Sequence, residues 1–227
     1  MAVYTISDLH LSFGAQKPMT IFKGWDNYEQ RIAANWTRRI TPEDTVVLPG
    51  DLSWAMKLPE TAADLAFLHR LPGKKIILKG NHDLWWSTMK KVTAFLDENK
   101  FDSILPLFNN AYVAEDFAVC GSRGWFYDAG EADQKIVLRE AGRLQTSIEA
   151  AKATGKPPLV FLHYPPVYGE YVCREIMEVL HRHGIQTVYH GHIHGAGCHN
   201  AVAEFEGITF HLVSCDCMDF TPLCITK

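Results

Sequence analysis

No stretch of this 227-residue sequence approaches the ~18 consecutive apolar residues that a membrane-spanning helix needs. The amino terminus Met1-Ala2-Val3-Tyr4-Thr5 also lacks a basic stretch leading into an apolar one with a small-residue cleavage site. A soluble, unprocessed, cytoplasmic chain is expected. A basic excess is missing too: Lys and Arg number 22 against 26 Asp and Glu, for a net charge of −4. That is the wrong sign for a surface that tracks a nucleic-acid backbone over its whole length. The C-x2-C pairs of structural zinc sites are absent, and Cys120, Cys173, Cys198, Cys215, Cys217 and Cys224 come without a secretion signal, so all are expected to be reduced. Cys215-Asp216-Cys217 hints at a metal clip, but a buried or strand-end thiol pair is the simpler reading. No internal repeat, linker or charge block divides the chain. A single domain over 1–227 is expected, because α/β domains commonly run to ~200–250 residues, and a composition 47% hydrophobic and 21% charged supports a sizeable core.

What is present is a series of short apolar runs, each giving way to polar residues. Val3 to Ser7 stops at Asp8, Thr45 to Leu48 at Pro49-Gly50-Asp51, and Lys75 to Leu78 just before Gly80-Asn81-His82-Asp83. Pro158 to Leu162 stops at His163, and Gln186 to Tyr189 at His190-Gly191-His192. Such runs read as strands. Between them, Glu131 to Thr154 carries Val137, Ala141, Leu144, Ile148 and Ala151 at helical spacing. Further helices are expected after a cap at Asn27, from Pro59, and over Glu170 to His183. Val202 to Phe205 and Ile208 to Val213 flank Glu206-Gly207 as a β-hairpin. Together these give a layered α/β fold with a mixed sheet.

In open α/β sheets ligands collect beyond the carboxyl ends of strands. Those ends hold Asp8, His10, Asp51, Asn81, His82, His163, His192 and His194. Carboxylate oxygen and imidazole nitrogen together suit divalent manganese, iron or zinc, and one carboxylate can bridge two ions. Asp8-x-His10 or Gly50-Asp51 alone is ordinary turn chemistry, and a lone His163 is more often a packed side chain than a ligand. Gly80-Asn81-His82-Asp83 and Gly191-His192-Ile193-His194 are much rarer by chance, and all five pieces occur in order, each after an apolar run.

This ordered set resembles the signature of the calcineurin-like metallophosphoesterases from Asp8 to His194. The resemblance implies a four-layer metallophosphoesterase fold, a central β-sandwich of mixed sheets flanked by helices. It implies two divalent metal ions, one held by Asp8, His10, Asp51 and His194, the other by Asp51, Asn81, His163 and His192, with Asp51 as the bridge. It implies hydrolysis of a small phosphomonoester or phosphodiester by a water made acidic between the ions, with His82 stabilising or protonating the leaving oxygen. Asp83 is a catalytic candidate that either orients His82 or caps a following helix.

The sequence also departs from part of that family. Members acting on phosphoproteins usually follow Gly-Asp with two residues and Asp-Arg, whereas this chain reads Gly50-Asp51-Leu52-Ser53-Trp54-Ala55, without the arginine clamp. Substrate must be oriented by other groups. Trp54, Trp85, Trp86, Trp125, Phe126, Tyr127, Tyr164 and Tyr168 lie in or near the strand-end loops, as a pocket wall or as packing beneath loops. Arg123 is a candidate phosphate contact, with a plain exposed arginine as the alternative. A nuclease is the first competing function and a non-catalytic protein-binding scaffold the second; the negative charge weighs against the former and the complete ligand set against the latter.

Overall fold

The computed structural model describes residues 1–125 and 134–226. Phe126, Tyr127 and the expected first turn of the helix from Glu131 lie outside the described residues.

A first sheet is built on parallel strands β1 (Val3–Thr5), β2 (Thr45–Pro49), β3 (Lys74–Leu78) and β4 (Ile104–Pro106), with the short β13 (Leu223–Cys224) antiparallel at the β1 edge. A second sheet contains β5 (Tyr112–Ala114), β6 (Phe117–Ser122), β7 (Pro158–Leu162), β10 (Thr187–His190), β11 (Glu204–Phe205) and β12 (Ile208–Leu212). Its interior strands β6, β7, β10 and β12 are parallel, while β5 and β11 are antiparallel edges. A two-stranded ribbon, β8 (Val167–Tyr168) with β9 (Tyr171–Val172), stands apart. The sheets are joined by a parallel bridge between Ser7 and Ser214, just past the ends of β1 and β12.

Alternation along the strands explains the layering. Val3, Val47, Ile76, Val119, Phe161 and Tyr189 turn into one apolar layer shared by the two sheets. The opposite face of the first sheet packs Val46, Leu48 and Ile77 among side chains of helices α1 (Tyr28–Arg39), α2 (Ala62–Arg70) and α3 (Met89–Glu98). The opposite face of the second sheet presents Val160, Leu162 and Val188 to α4 (Gln134–Ala153) and α5 (Arg174–Arg182). The result is helices, sheet, sheet, helices, as the resemblance implied. Among the described residues no helix is long and apolar enough to cross a membrane.

Helix boundaries follow local chemistry, with two departures from expectation. Asn27 does precede α1, but it adopts a left-handed conformation (φ 52°) and its side chain makes no capping bond; asparagine tolerates that region. The helix expected from Glu170 starts only at Arg174, because Tyr171 and Val172 are taken up by the ribbon. Val137, Ala141, Leu144, Ile148 and Ala151 form the buried stripe of α4.

That stripe yields a paired test. Leu144 is fully buried whereas Leu138 on the same helix is 56% exposed. Leu144→Ala is expected to lower unfolding free energy by about 2–5 kcal/mol and Leu138→Ala by no more than about 0.5 kcal/mol, as read by urea denaturation.

Candidate metal centre

All the parallel strands present their carboxyl ends to one rim, and the candidate ligands sit on the loops leaving β1, β2, β3, β7 and β10. These loops turn sharply. Asp8, His10, Asp51 and His192 adopt positive φ of 58°, 46°, 52° and 74°, a region uncommon for residues with a side chain and concentrated at functional sites. The turn redirects each chain so that side chains aim inward rather than along the sheet.

Two glycines let the loops approach the carboxylates. A Cβ on Gly80 would overlap Asp51 Oδ1 and the Asp51 backbone nitrogen. A Cβ on Gly191 would overlap Asp8 Oδ2 and the Ser7 hydroxyl. The space saved lets backbone amides take up the carboxylate oxygens: His82 N–H donates to Asp51 Oδ1 at 2.8 Å, and His192 N–H points at both oxygens of Asp8 at 3.1 and 3.0 Å. The Ser7 and Ser214 hydroxyls also reach Asp8 Oδ2.

The structure brings all seven expected ligands into one cluster. His10 Nε2 lies 3.3 Å from His194 Nε2, and His194 Nε2 lies 3.3 Å from Asp8 Oδ1. Asp51 Oδ2 lies 3.9 Å from His10 Nε2 and 3.6 Å from His163 Nε2, between the two imidazoles. Asn81 Oδ1 lies 2.6 Å from His163 Nε2 and 3.0 Å from His192 Nδ1. Within the cluster, two sets of ligand atoms have the compactness a cation needs, Asp8 with His10 and His194, and Asp8 with Asp51 and His163; a third compact set among the described residues, Cys198, Asp216 and Cys217, lies beside it.

The donor chemistry fits cations. His163 Nδ1 donates to the Pro49 carbonyl at 3.0 Å, and burial pushes the imidazole pKa down to about 3, so the ring is neutral and its Nε2 carries a lone pair. That lone pair faces Asn81 Oδ1 at 2.6 Å and Asp51 Oδ2 at 3.6 Å, a grouping of oxygen and nitrogen donors that suits a cation. Burial also lowers His10 to about 3, and among the described residues its buried Nδ1 has no partner. Burial, reinforced by Asp8 and Asp83, drives the Asp51 carboxyl well above the ordinary range. A divalent charge at this point reverses that penalty.

Asp83 has a role that neither expectation covered. One of its oxygens accepts from Asp51 N–H and Gly80 N–H, each at 2.8 Å. The other accepts from Leu52 N–H at 2.9 Å, Ser53 N–H at 3.2 Å and Trp85 Nε1–H at 3.0 Å. It does not cap α3, which begins only after Thr88; it clamps the loop after β2 to the loop after β3. Those contacts give Asp83 a positioning part in the site.

Asp216 escaped the sequence reading. Its Oδ1 accepts from His194 Nδ1–H at 2.8 Å and its Oδ2 from Gly195 N–H at 2.9 Å, the carboxylate-to-histidine support usual behind a metal ligand. The only sequence signal was its place between Cys215 and Cys217, which was read as thiol chemistry. The expectation that all cysteines are reduced is also corrected: Cys198 and Cys217 are joined, with Cα atoms 5.7 Å apart. The turns at 195–200 and 215–218 lie side by side, a proximity across 19 residues of sequence that spacing alone does not reveal.

Of the aromatics, Trp54 stacks on His10 with centroids 4.8 Å apart and lies 4.5 Å from His82. Trp25, not foreseen, lies 6.1 Å from His10 and 6.0 Å from His194. With Met19, Phe22, His10 and His82 these rings line a cavity of about 420 Å³ at the cluster's edge. Trp85 and Trp86 belong to the core beneath the first sheet. Tyr164 meets His163 and His192 edge-on. Arg123 is not a freely exposed arginine, its side chain being only 19% accessible.

Comparison with known proteins places this geometry. The sequence profile described as calcineurin-like phosphoesterase matches residues 1–196. No curated protein matches the sequence. Among solved structures, a protein of unknown function from Aquifex aeolicus is similar with a TM-score of 0.54 and 19% identity, over 98% of this chain and 95% of that one. A phosphopantetheinyl hydrolase from Mycobacterium tuberculosis is similar with a TM-score of 0.51 and 16% identity, over 94% and 88%. At these identities the likeness concerns the fold.

Two outcomes follow from the cluster. In the metal-free protein burial opposes charge on His194, but the Asp216 and Asp8 carboxylates outweigh it and raise the pKa to about 10 from 6.5. The bound proton thus stabilises the metal-free fold fully below about 6.5, and that contribution is lost as pH rises through about 10. An imidazole must be neutral to ligate a metal, so calorimetric titration with Zn²⁺ at pH 8, in buffers of different ionisation enthalpy, is expected to show release of at least about one proton per chain and tighter binding at higher pH. Second, Gly80→Ala is expected to cut Mn²⁺ affinity by at least about tenfold by displacing Asp51, measured by equilibrium dialysis, with far-ultraviolet dichroism retained.

Proposed function

Because the chain belongs to the calcineurin-like phosphoesterase family, we propose that it is a dinuclear metal-dependent hydrolase of small phosphomonoesters or phosphodiesters. The observation that carries the reading is the convergence of Asp51 Oδ2, Asn81 Oδ1 and the unprotonated Nε2 of His163, oxygen and nitrogen donors grouped as a divalent cation would take them. One ion is assigned to Asp8, His10, Asp51 and His194, the other to Asp51, Asn81, His163 and His192. Manganese, iron and zinc all suit this oxygen and nitrogen set. When bound, such ions supply Lewis-acid charge against the phosphate oxygens and acidify a water near neutral pH.

The remaining work falls to the protein. The ligands fix where the phosphoryl group rests, and the amide bond from His82 N–H to Asp51 Oδ1 fixes His82 relative to it. The His82 ring lines the cavity beside the cluster, placed to donate a proton or a hydrogen bond to the oxygen that leaves phosphorus. Asp83 holds the loops of Asp51 and His82 in register, so the acid and the phosphoryl site keep their separation. The organic part of the ester lies against Trp25, Trp54, Met19 and Phe22, and those apolar walls exclude bulk water on that side.

A screen of phosphate esters with Mn²⁺-reconstituted protein tests the reading, with Asp51→Asn as the background control. His82→Ala is expected to lower kcat by about 10²- to 10⁴-fold while metal content stays at the wild-type value. Parallel loss of metal and turnover makes His82 a ligand, and a fully metallated protein that hydrolyses neither p-nitrophenyl phosphate nor bis-p-nitrophenyl phosphate removes the assignment.

A further inference from the structure

A second cavity opens on the same rim, apart from the one lined by Trp25 and Trp54. It measures about 220 Å³ and is formed where β3, β4 and β6 end, by Lys79, by Phe108 and Asn109, and by Ser122 and Arg123, with α4 closing it through Arg139, Glu140 and Arg143. Lys79 stands two residues before Asn81, so their Cα atoms lie within about 7 Å. Arg123 is tied to the same rim from the other sheet, its carbonyl accepting from Tyr164 N–H at 2.9 Å, the residue after His163.

The charges here are unbalanced and held in place. Glu140 is 1% exposed and serves three guanidinium groups, with Arg143 at 2.6 Å, Arg123 at 3.7 Å and Arg139 at 3.9 Å. One carboxylate against those arginines and Lys79 leaves the cavity strongly cationic. Arg143 is further fixed over the Phe108 ring at 4.8 Å, and Arg123 over Trp125 at 5.2 Å. Among the described residues the buried Nε of Arg123 has no partner. Guanidinium groups held around one buried carboxylate, with the Arg123 Nε donor unused among the described residues, describe a receptor for a multiply charged oxyanion.

We propose that this cavity binds a second anionic group of the substrate, a phosphate remote from the one hydrolysed, so that the preferred substrates are small bisphosphates. The inference rests on the phosphoesterase reading for the reaction, but the anion site stands on its own geometry. A substrate of this kind spans the rim, with its reacting phosphoryl group at the metal cluster and its distal one between α4 and the end of β6.

Two measurements test it. In the Mn²⁺-loaded enzyme, kcat/KM for fructose 1,6-bisphosphate is expected to exceed that for fructose 6-phosphate, and Arg139→Ala or Lys79→Met is expected to reduce that ratio by about tenfold, the worth of one charge-assisted contact. Arg143→Gln is the stronger change, but it strips Glu140 of its closest partner, so the other two variants guard against a folding defect. Independently of turnover, sulfate added to the Zn²⁺-loaded protein is expected to shift the Arg123, Arg139 and Arg143 Nε–H resonances in nitrogen-proton spectra, and Lys79→Met to weaken that binding. Sulfate shifts without hydrolysis of any ester remove the enzymatic reading and keep the anion site. Hydrolysis with no sulfate shift at these arginines, or a bisphosphate to monophosphate ratio untouched by both variants, overturns the proposal.

Discussion

Two buried carboxylates set close together, Asp8 and Asp51, are the constraint on which this structure turns. Both are essentially sealed from water, and burying an anion beside another is among the more costly arrangements a protein can hold. They respond differently because their surroundings differ. Asp8 receives an amide, two hydroxyls and the protonated His194, which together overcome its burial and hold its carboxyl well below the usual range. Asp51 faces neutral His163 and His10, with Asp83 behind it, and its carboxyl is pushed upward. The site therefore has one carboxylate compensated by a proton on a neighbour and another driven to take up a proton itself. A cation occupying this space neutralises Asp51 and displaces the proton from His194, so ion binding and the protonation of the cluster are one equilibrium.

The loops are shaped by the same demand. Holding Asp8, His10, Asp51 and His192 in left-handed conformations costs roughly 1–2 kcal/mol each. The surroundings over-determine them. Asp83 accepts five hydrogen bonds across two loops, and the shared apolar layer of Val3, Val47, Ile76 and Phe161 fixes the strands from which those loops spring. Strand rigidity is thus converted into ligand position, and the glycines at 80 and 191 remove the atoms that would keep backbone and carboxylate apart.

Strand ends carrying chemistry were legible in the sequence because an apolar run that stops at Asp, Asn or His is a local pattern. The α4 stripe was legible for the same reason, its period being internal to the helix. Asp83 was visible as a residue but not as a clamp, since its partners at 51–53 lie some 30 positions away and are backbone groups without a sequence signature. Asp216 and the Cys198–Cys217 link were hidden likewise, both arising from the packing of two short turns. Trp25 sits on the approach to α1, where no strand end points to it. What pattern reading misses here is the layer behind the ligands, built from contacts between segments distant in sequence.

Net charge is the other place where a whole-chain quantity conceals local design. A total of −4 counts against a surface that attracts phosphate, yet the carboxylates that make it negative include Asp8, Asp51, Asp83 and Glu140, all buried and engaged. What the rim presents outward is different: imidazoles and indoles on the α1 side, guanidinium groups on the α4 side. Buried acids here are placed to fix cations, Glu140 holding arginines and the strand-end carboxylates grouped with imidazoles as candidate metal ligands, and a fixed cation attracts an anion more selectively than a mobile one because no reorganisation is needed on arrival. The acidic interior and the anion-receptive rim are therefore two faces of one arrangement, in which each buried carboxylate holds a positive charge where the fold requires it.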